Sequence, residues 1–492
     1  MTRNPQYILS LIFLLAYSTF ISCGSVKCPS ETVKLNVLFI AIDDMNDWTS
    51  LHDPEHPIRV PNLKRLADQG TFFTNAYCNS SACNPSRASV LSGIRPSTSG
   101  IYGNASDWKD ALDVNDLLPA VFDKNDYNTY CAGKIFHHHG RVFQAYEIFD
   151  EYLPFPATRP PDSPMPERNL NSTNFWYNDE GQSLSKVSPN FDWGAWPRDS
   201  TQHIDHETVD WAIDRLSTSS EPFFMAIGIF RPHMPFYVPA SFLETYPLED
   251  LALPLINPDD LNDLSGSSIE FIKRPWYKWM GTFRHEEKRD SLYWEKAVQA
   301  YQASCTYADY QVGRLLDALE GMGLDKNTII VLWSDHGYHL GEKDHWEKFI
   351  LYEKTTHVPM IISVPGYKKG KYITSPVSLI DIYPTLTELC RIHPPDSLEG
   401  HSLVPLLEGT SLSLDVPAIT TYGMNNHAVR SHDYRYIRLA DGTEELYHTA
   451  EDIHELDNLA ADPAYRTLMD SLSGWIPSSN AEPVPDAKRE SR

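Results

Sequence analysis

Four apolar runs constrain the fold of this chain more than any other feature of its sequence. They cover residues 37–42, 223–229, 329–333 and 357–364. A continuous apolar run without polar alternation is typical of a strand that is buried on both faces. Helical patterns at residues 60–69 and 297–322 lie between these runs. Strands that alternate with helices predict an α/β domain with a mostly parallel sheet, covered by helices on both faces.

The N-terminus has the pattern of a targeting segment. Arg3 is followed by an apolar run at residues 8–21 and then by Ser-Cys-Gly at residues 22–24. The run is short for a membrane span and has the length of a signal-peptide core. We therefore predict a signal peptide over residues 1–23 and export to the periplasm or cell envelope. Ser-Cys-Gly resembles a bacterial lipobox. The alternative to a fully processed N-terminus is therefore a lipid anchor at Cys23, which is the one attachment to a membrane that we consider.

Shifts in composition divide the exported part of the chain. We predict a catalytic α/β domain over residues 34–410, a small C-terminal subdomain over residues 411–478 and a flexible tail over residues 479–492. The subdomain has the pattern of short antiparallel strands followed by a helix. Two Pro- and Asn-rich stretches, residues 153–196 and 254–287, have the composition of surface insertions that shape a cleft.

The charge balance limits the classes of partner. The chain carries 66 acidic and 41 basic residues, a net charge of −25. This excludes nucleic acid, because phosphate binding needs a basic face. A local cationic pocket for a small anion remains compatible, since salt screens surface charge beyond about 8 Å. Arg430, Arg435 and Arg438 lie on predicted strands, where a solvated strand face is a better interpretation than contact with an acidic sugar.

Acidic residues follow two of the predicted strands. Asp43 and Asp44 end the first apolar run, and Asp335 and His336 follow the third. Ligands of parallel sheets bind beyond the carboxyl ends of the strands. Carboxylate oxygens from two strand ends suit Ca²⁺ or Mg²⁺. The alternative is that these aspartates only cap helices.

A five-residue motif gives the strongest indication of function. Residues 83–87 read Cys-Asn-Pro-Ser-Arg, which taken alone fits a buried cysteine before a turn and a helix. Cys-x-Pro-Ser-Arg is also the motif that is oxidised to formylglycine in type I sulfatases, and the chain resembles that family from residue 36 to about residue 460. Residues 43–45, 133–137 and 231–235 resemble the iduronate-2-sulfatase-like branch and suggest a bacterial polysaccharide sulfatase.

The resemblance implies an alkaline-phosphatase-like fold, in which a large mixed sheet lies between helices and a small antiparallel sheet with a helix follows. It also implies a formylglycine made from Cys83 by a formylglycine-generating maturation enzyme. The implied cofactor is Ca²⁺, with Mg²⁺ as the alternative. The implied metal ligands are Asp43, Asp44, Asp335, His336 and the modified Cys83.

The same resemblance implies catalytic roles for five further residues. Arg87 would hold the hydrated aldehyde. Lys134, Lys348 and His233 would bind the sulfate and bridge to the leaving oxygen. His137 would orient or deprotonate a hydroxyl of the aldehyde hydrate, and one of the cationic groups must act as general acid because an alkoxide leaves poorly.

These residues predict an enzyme that hydrolyses sulfate monoesters on a poly- or oligosaccharide. Ulvan and glycosaminoglycans are candidate substrates, with the sulfate on a uronate or on a neighbouring sugar. One rival is a phosphoester or phosphonate hydrolase, which would carry a Ser or Thr nucleophile or the ligands of two zinc ions. The other is a non-catalytic, glycan-binding relative, which would have lost some of these site residues.

Overall fold

The computed structural model describes residues 34–108, 111–137, 148–154, 193–196, 200–273 and 293–487. The predicted signal peptide with Cys23, most of the first predicted insertion and the end of the second lie outside these residues. None of the helices in the described ranges has both the length and the apolar character needed to cross a membrane.

Nineteen strands lie in the described residues. In chain order they are β1 Asn36–Asp43, β2 Thr71–Phe73, β3 Ala76–Tyr77, β4 Asn128–Gly133, β5 Glu151–Pro154, β6 Trp193–Ala195, β7 Phe223–Pro232, β8 Phe236–Val238, β9 Thr328–Ser334, β10 His339–Leu340, β11 Trp346–Glu347, β12 His357–Val358, β13 Met360–Ser363, β14 Lys371–Ile373, β15 Val377–Ser378, β16 Ala418–Thr421, β17 His427–Arg430, β18 Arg435–Arg438 and β19 Glu444–Tyr447.

Twelve α-helices accompany them in the same ranges. They are α1 Pro61–Gln69, α2 Cys83–Ser92, α3 Pro96–Ser99, α4 Leu118–Asp123, α5 Ile204–Thr218, α6 Ala240–Glu244, α7 Gly266–Ile272, α8 Tyr293–Gly321, α9 Glu353–Thr356, α10 Ile382–Leu389, α11 Val404–Glu408 and α12 Arg466–Ser473.

Eight strands form one mixed sheet in the order β14-β2-β13-β9-β1-β7-β4-β5. Strand β1 pairs in parallel with both β7 and β9, and β4 pairs in parallel with β5 and β7. Only β13 runs antiparallel to its neighbours, β2 and β9. The mostly parallel sheet predicted from the apolar runs is therefore confirmed.

Both faces of this sheet are buried. Leu38, Ile40 and Ile42 of β1 belong to a core that includes residues of α1, α5 and α8. Val37 and Phe39, which alternate with them, belong to a second core with residues of α2, α4 and α10. Successive strand side chains point to opposite faces, so a strand between two helical layers needs apolar residues at every position.

The fourth apolar run divides between two sheets. Residues 357–358 pair with β3 in a small three-stranded sheet, whereas residues 360–363 join the main sheet beside β9. Pro359 separates the two segments and cannot donate a backbone hydrogen bond to a strand ladder. The run predicted as one strand is thus two short ones.

The C-terminal region contains a four-stranded antiparallel sheet in the order β16-β17-β18-β19. Helix α12 packs on one face, with Met469 and Leu472 against Val429 and Tyr436. The last described residues are hydrogen-bonded rather than loose: backbone bonds join 481 to 97, 484 to 100 and 487 to 105. The polar composition that favoured a flexible tail after residue 478 gives no indication of these backbone contacts.

Candidate active site

Four neighbouring parallel strands end at one edge of the main sheet. Asp43 is the last residue of β1, and Asp335 follows β9. Lys134 follows β4, and His233 follows β7. Because the strands lie side by side in the order β9-β1-β7-β4, these polar side chains come from adjacent positions at the carboxyl edge.

The backbone after β1 directs two consecutive carboxylates into this region. The pairing register with β7 shifts between Ile42 and Asp43, an irregularity that changes the aim of a side chain. Asp44 then adopts a left-handed conformation with φ of 67°, which aspartate tolerates better than most residues. Both carboxylates are completely buried.

Helix α2 carries the predicted nucleophile at its N-terminal end. Cys83 is its first residue and is fully buried. Arg87 lies one turn further on, and residues four apart share a helix face. The helix ends at Gly93, which adopts the left-handed conformation (φ 70°) that closes helices without steric cost.

Arg87 fixes the positions of two of the carboxylates. Its Nε donates to Asp335 Oδ2 at 2.8 Å, and a terminal nitrogen donates to Asp43 Oδ1 at 3.1 Å. The other terminal nitrogen donates to the backbone carbonyls of Lys134 and Ile135. Arg87 is fully buried, and these hydrogen bonds fix the positions of both carboxylates.

Three nitrogen groups converge on the sulfur of Cys83. Lys348 Nζ lies 3.1 Å from Sγ, His336 Nε2 lies at 3.3 Å and Lys134 Nζ at 3.6 Å. Burial alone would raise the pKa of Cys83, but Lys134, Lys348 and His336, with a hydrogen bond from His137, hold it well below its usual range. The surroundings of this atom therefore stabilise negative charge.

Two glycines allow Lys134 to reach the site. A Cβ on Gly133, whose φ is 72°, would lie 2.1 Å from the carbonyl oxygen of Gly228, and a Cβ on Gly228 would meet the backbone of Lys134 at 2.2 Å. The close approach lets the Lys134 N–H donate to the Gly228 carbonyl at 3.0 Å. The Lys134 ammonium then forms an ion pair with Asp43.

The carboxylates form a donor set that fits a hard divalent cation. Single ligand atoms of Asp43, Cys83, Asp335 and His336 all lie within 4.8 Å of one another. Asp44 Oδ2 is buried without a hydrogen-bond partner. Burial raises the pKa of Asp335 to about 7, against the influence of Arg87, as expected for a carboxylate that lacks enough positive charge nearby. A divalent cation would satisfy both groups.

His336 is oriented for the same cluster. Its Nδ1 contacts the Gly337 carbonyl at 3.0 Å, and its Nε2 faces Asp44 Oδ1 at 3.5 Å and Asp335 Oδ2 at 3.7 Å. Burial would lower the pKa of His336, but Asp335, together with Cys83 and Asp44, raises it to about 9 against Lys348.

His233 lies at the outer side of the site and is partly exposed. Its Nε2 is 3.9 Å from Asp44 Oδ2, and its Nδ1 contacts the Met234 carbonyl. The preceding backbone is held by Asp205, whose carboxylate accepts from the Phe230 and Arg231 N–H groups at 2.6 and 3.1 Å.

All the site residues predicted from the sequence lie together at this edge; they are Asp43, Asp44, Cys83, Arg87, Lys134, His137, His233, Asp335, His336 and Lys348. Sequence reasoning missed Tyr301, whose hydroxyl donates to the Asp44 carbonyl at 2.9 Å, and Glu347, whose Oε2 is buried without a hydrogen-bond partner. Glu347 could have been found from its position directly before Lys348. Tyr301 lies in a long helix, where no sequence pattern indicates a contact with the site.

The arginines of the C-terminal sheet differ from the expected solvated face. Arg435 is fully buried and forms ion pairs with Glu353 and, at 2.5 Å, with Glu455. Arg430 pairs with Glu353 at 3.3 Å. The solvated-face interpretation is therefore wrong for Arg430 and Arg435, because the sheet packs these side chains against α9. The five described cysteines (78, 83, 131, 305 and 390) are all free.

Comparison with known proteins supports the family prediction. The family model "Sulfatase" matches residues 35–392, and the model "N-sulphoglucosamine sulphohydrolase, C-terminal" matches residues 341–481. A sulfatase of Formosa agariphila is 38% identical over 490 residues, which cover 95% of this chain and 92% of that protein. Human iduronate 2-sulfatase is 28% identical over 544 residues, with 94% and 96% covered.

The fold is also shared with solved structures. The phosphonate monoester hydrolase of Silicibacter pomeroyi matches with a TM-score of 0.71 at 20% identity, and the match covers 90% of this chain and 94% of that one. The predicted alkaline-phosphatase-like fold is confirmed, as is the family prediction made from the Cys83 motif. The chain belongs to the sulfatase family, a family of sulfuric ester hydrolases.

Proposed function

We propose that this protein hydrolyses sulfate monoesters on carbohydrates, with a formylglycine made from Cys83 as its nucleophile. The observation that carries the proposal is the convergence of Lys348, His336 and Lys134 within 3.6 Å of Cys83 Sγ. In the mature protein the oxygens of the hydrated aldehyde would replace that sulfur, and a tetrahedral sulfate beside them would meet the same positive charge.

The first half of the reaction transfers sulfate to the protein. One hydroxyl of the hydrate loses its proton to solvent and attacks sulfur, a new O–S bond forms, and the bond from sulfur to the sugar oxygen breaks. That oxygen departs with a proton, because an alkoxide leaves poorly. Lys348 and His233 are the proposed donors, and Lys134 would stabilise charge on the sulfate oxygens.

The second half releases sulfate. The remaining hydroxyl of the hydrate loses its proton to His137, the carbon–oxygen bond to sulfate breaks, and the aldehyde re-forms. Water then restores the hydrate. A plain Cys or Ser lacks the second hydroxyl and has no such elimination route, which explains why the reaction uses a modified residue.

Asp43, Asp44, Asp335 and His336 are the proposed ligands of a Ca²⁺ ion, with Mg²⁺ as the alternative. When bound, the cation would supply positive charge to the sulfate oxygens and to the attacking hydroxyl. Arg87 would keep Asp43 and Asp335 in place as ligands, since it donates to both carboxylates in the structure.

The proposed substrate is a sulfated poly- or oligosaccharide, such as ulvan or a glycosaminoglycan. The names of two matches support a sugar: one family model is N-sulphoglucosamine sulphohydrolase, and one relative is iduronate 2-sulfatase. Export through residues 1–23 and maturation by a formylglycine-generating enzyme complete the proposal. Lipid attachment at Cys23 remains the alternative to a fully processed N-terminus.

The test is release of inorganic sulfate from a panel of sulfated polysaccharides and their oligosaccharides. The protein is co-produced with a maturation enzyme, and the Cys83→Ala variant, prepared in the same way, is the control. We expect release by the wild type and a loss of at least about a thousandfold in the variant.

The same panel contains a phosphonate monoester and a phosphate diester, because the fold is shared with a phosphonate monoester hydrolase. Faster turnover of these esters than of every sulfate would replace the proposal with the rival hydrolase. Binding of sulfated glycans without any turnover, with formylglycine confirmed by peptide mass, would replace it with the glycan-binding alternative.

A further inference from the structure

A polar cleft of about 700 Å³ opens at one end of the C-terminal sheet. Its walls come from the loop between β16 and β17, the loop between β18 and β19, and the segment that follows α12. The lining residues are Asn425, His427, Arg438, Leu439, Ala440, Gly442, Ile476, Pro477, Ser478, Ser479 and Asn480.

The charge of the cleft contrasts with that of the whole chain. The chain has a net charge of −25, yet the lining contains no Asp or Glu and has Arg438 as its one Lys or Arg. Among the residues that the structure describes, no carboxylate forms an ion pair with Arg438. Glu444, which is opposite it in the strand ladder, is instead held by Arg466 at 2.7 Å.

His427 adds a buried imidazole to the lining of the cleft. Its Nδ1 contacts the Thr421 hydroxyl at 2.9 Å, whereas its Nε2 is buried without a hydrogen bond of standard geometry. The side chain is 1% exposed. Burial, followed by Arg438, lowers the pKa of His427 to about 4 against a hydrogen bond with the Asn480 side chain, so the imidazole is neutral at pH 7.

Contacts of the strand and loop that precede the cleft residues connect them to the segments that carry Cys83 and Lys348. The Thr421 N–H donates to the Asn79 carbonyl at 2.9 Å, and Asn79 is four residues before Cys83, a separation of at most about 14 Å. In the same loop, Tyr422 lies against Phe349, with ring centroids 5.7 Å apart, and Phe349 follows Lys348.

The opposite wall has its own connection to the site. The Tyr102 hydroxyl donates to the Ala481 carbonyl at 3.0 Å, next to the lining residue Asn480. Two residues after Tyr102, the side chain of Asn104 accepts from the Asn84 N–H at 3.0 Å, directly after Cys83. Both walls are therefore next to segments that contact the chain on either side of Cys83.

We propose that this cleft, built around Arg438 and His427, binds an acidic sugar unit further along a glycan chain whose sulfate ester occupies the Cys83 site. The proposal rests on the proposed function. A guanidinium that forms no ion pair with the described residues can hold a carboxylate or sulfate through two parallel hydrogen bonds, and neutral amide, imidazole and hydroxyl groups match sugar hydroxyls.

The test compares Arg438→Gln with the wild type on two substrates that carry the same sulfated sugar. One is the sulfated monosaccharide, and the other is an oligosaccharide with a uronate unit beside it. We expect KM for the oligosaccharide to rise about tenfold, which is the loss of one charged hydrogen bond, and to rise several-fold more than KM for the monosaccharide. Arg438→Lys should restore part of the difference.

Lys369→Gln is the matched control, because it removes the same charge from an exposed turn; it should leave both KM values at the wild-type level. A third substrate replaces the uronate with a neutral sugar, and a fourth replaces it with a second sulfated sugar. The proposal is supported if Arg438→Gln changes KM little for the substrate with the neutral sugar and raises KM strongly for one or both acidic substrates. The acidic substrate that is affected identifies the anion. An equal effect on the monosaccharide, or on the neutral form, overturns it.

Binding separates this proposal from the function on which it rests. Calorimetry with Cys83→Ala measures affinity for the acidic oligosaccharide without turnover, and Arg438→Gln added to that background should weaken binding about tenfold. If the wild type turns over sulfate esters but neither KM nor affinity depends on Arg438, only the proposed role of the cleft is rejected. If affinity depends on Arg438 but no sulfate ester is turned over, only the proposed function is rejected.

Discussion

Two clusters of buried charge, one at the carboxyl edge of the main sheet and one between α9 and the C-terminal sheet, differ in what their cations contact. The ion-pair cluster, which joins α9 to the C-terminal sheet, consists of Glu353, Glu455, Arg430 and Arg435. Each of its four residues has an opposite charge within 3.3 Å. Tyr77 and the Glu353 N–H add hydrogen bonds at 2.9 and 2.8 Å.

The catalytic cluster consists of Asp43, Asp44, Asp335, Arg87, Lys134 and Lys348. Its carboxylates are also paired with cations. Two of these cations, however, also face a reactive group: Lys348 Nζ lies 3.1 Å and Lys134 Nζ 3.6 Å from Cys83 Sγ. Buried charges that face a reactive side chain are typical of functional sites. The comparison therefore supports a structural role for the ion-pair cluster, and it supports the proposal that the catalytic cluster binds a cation and an anionic substrate.

The largest expected effect comes from Lys348. Lys348→Ala should lower kcat by about a thousandfold, because the ammonium nearest to the nucleophile would no longer stabilise charge on sulfate or protonate the leaving oxygen. Lys343→Ala is the control, since Lys343 is buried in an ion pair with Asp260 at 2.7 Å. Turnover per folded molecule of Lys348→Ala at the level of this control would remove Lys348 from the mechanism.

Asp335 tests the proposed cation. Asp335→Asn should reduce turnover by on the order of a hundredfold or more, and added Ca²⁺ should not restore it fully, because a ligand charge is missing. Treatment of the wild type with a chelator should lower activity, and Ca²⁺ should recover it. Asp260→Asn removes a buried carboxylate outside the site and should keep wild-type turnover per folded molecule. Chelator-resistant activity in the wild type would argue against a metal.

The ion-pair cluster should respond in stability rather than in chemistry. Glu353→Gln leaves Arg430 and Arg435 short of a buried counter-charge, so the free energy of unfolding should fall by about 3–5 kcal/mol. Urea denaturation measures it. A loss under 1 kcal/mol would show that the cluster contributes little to the fold.

The same variant gives a pH test with a defined sign. Burial would raise the pKa of Glu353, but Arg430 and Arg435 hold it well below its usual value of 4.5. A lowered folded-state pKa adds stability above pH 4.5, and this stability is lost as the pH falls toward the folded-state pKa. The stability difference between wild type and Glu353→Gln should therefore shrink below about pH 4.5. A difference that grows on acidification would contradict the pairing.

The smallest expected effect is that of an exposed ion pair. Lys64 and Asp68 pair at 2.5 Å on the surface of α1, with side chains 43% and 52% exposed. Lys64→Ala should change the free energy of unfolding by about 0.5 kcal/mol or less, measured by the same urea titration. If Lys64→Ala lowered the free energy of unfolding as much as Glu353→Gln does, burial would not explain why ion pairs differ in their contribution to stability.

Much of the fold could be predicted because the buried strands are apolar at every position. Residues 37–42 and 329–333 predicted β1 and β9 and, with the aspartates that follow them, the edge of the sheet that carries the site. The division of the run at residues 357–364 was not predicted, because the apolar pattern alone takes no account of Pro359, which cannot donate a backbone hydrogen bond to a strand ladder.

Other features depend on contacts between residues far apart in the chain. Arg435 and Glu353 are separated by 82 positions, and no local pattern indicates that a strand arginine is buried. The backbone contacts of residues 481–487 have the same origin, since a polar segment does not reveal its partner strand or loop. The catalytic residues were predictable for a different reason: separate motifs around Cys83, Lys134, His233 and Lys348 resemble those of the sulfatase family.

The central claim is that formylglycine at residue 83 performs the reaction. The direct measurement varies the amount of co-produced maturation enzyme, quantifies the converted fraction of the Cys83 peptide by mass spectrometry, and measures sulfate release per mole of protein from one sulfated oligosaccharide. The account predicts a rate proportional to the converted fraction that extrapolates to zero for unconverted protein. A rate that is independent of the converted fraction, or full turnover by protein with an intact Cys83 thiol, would contradict it.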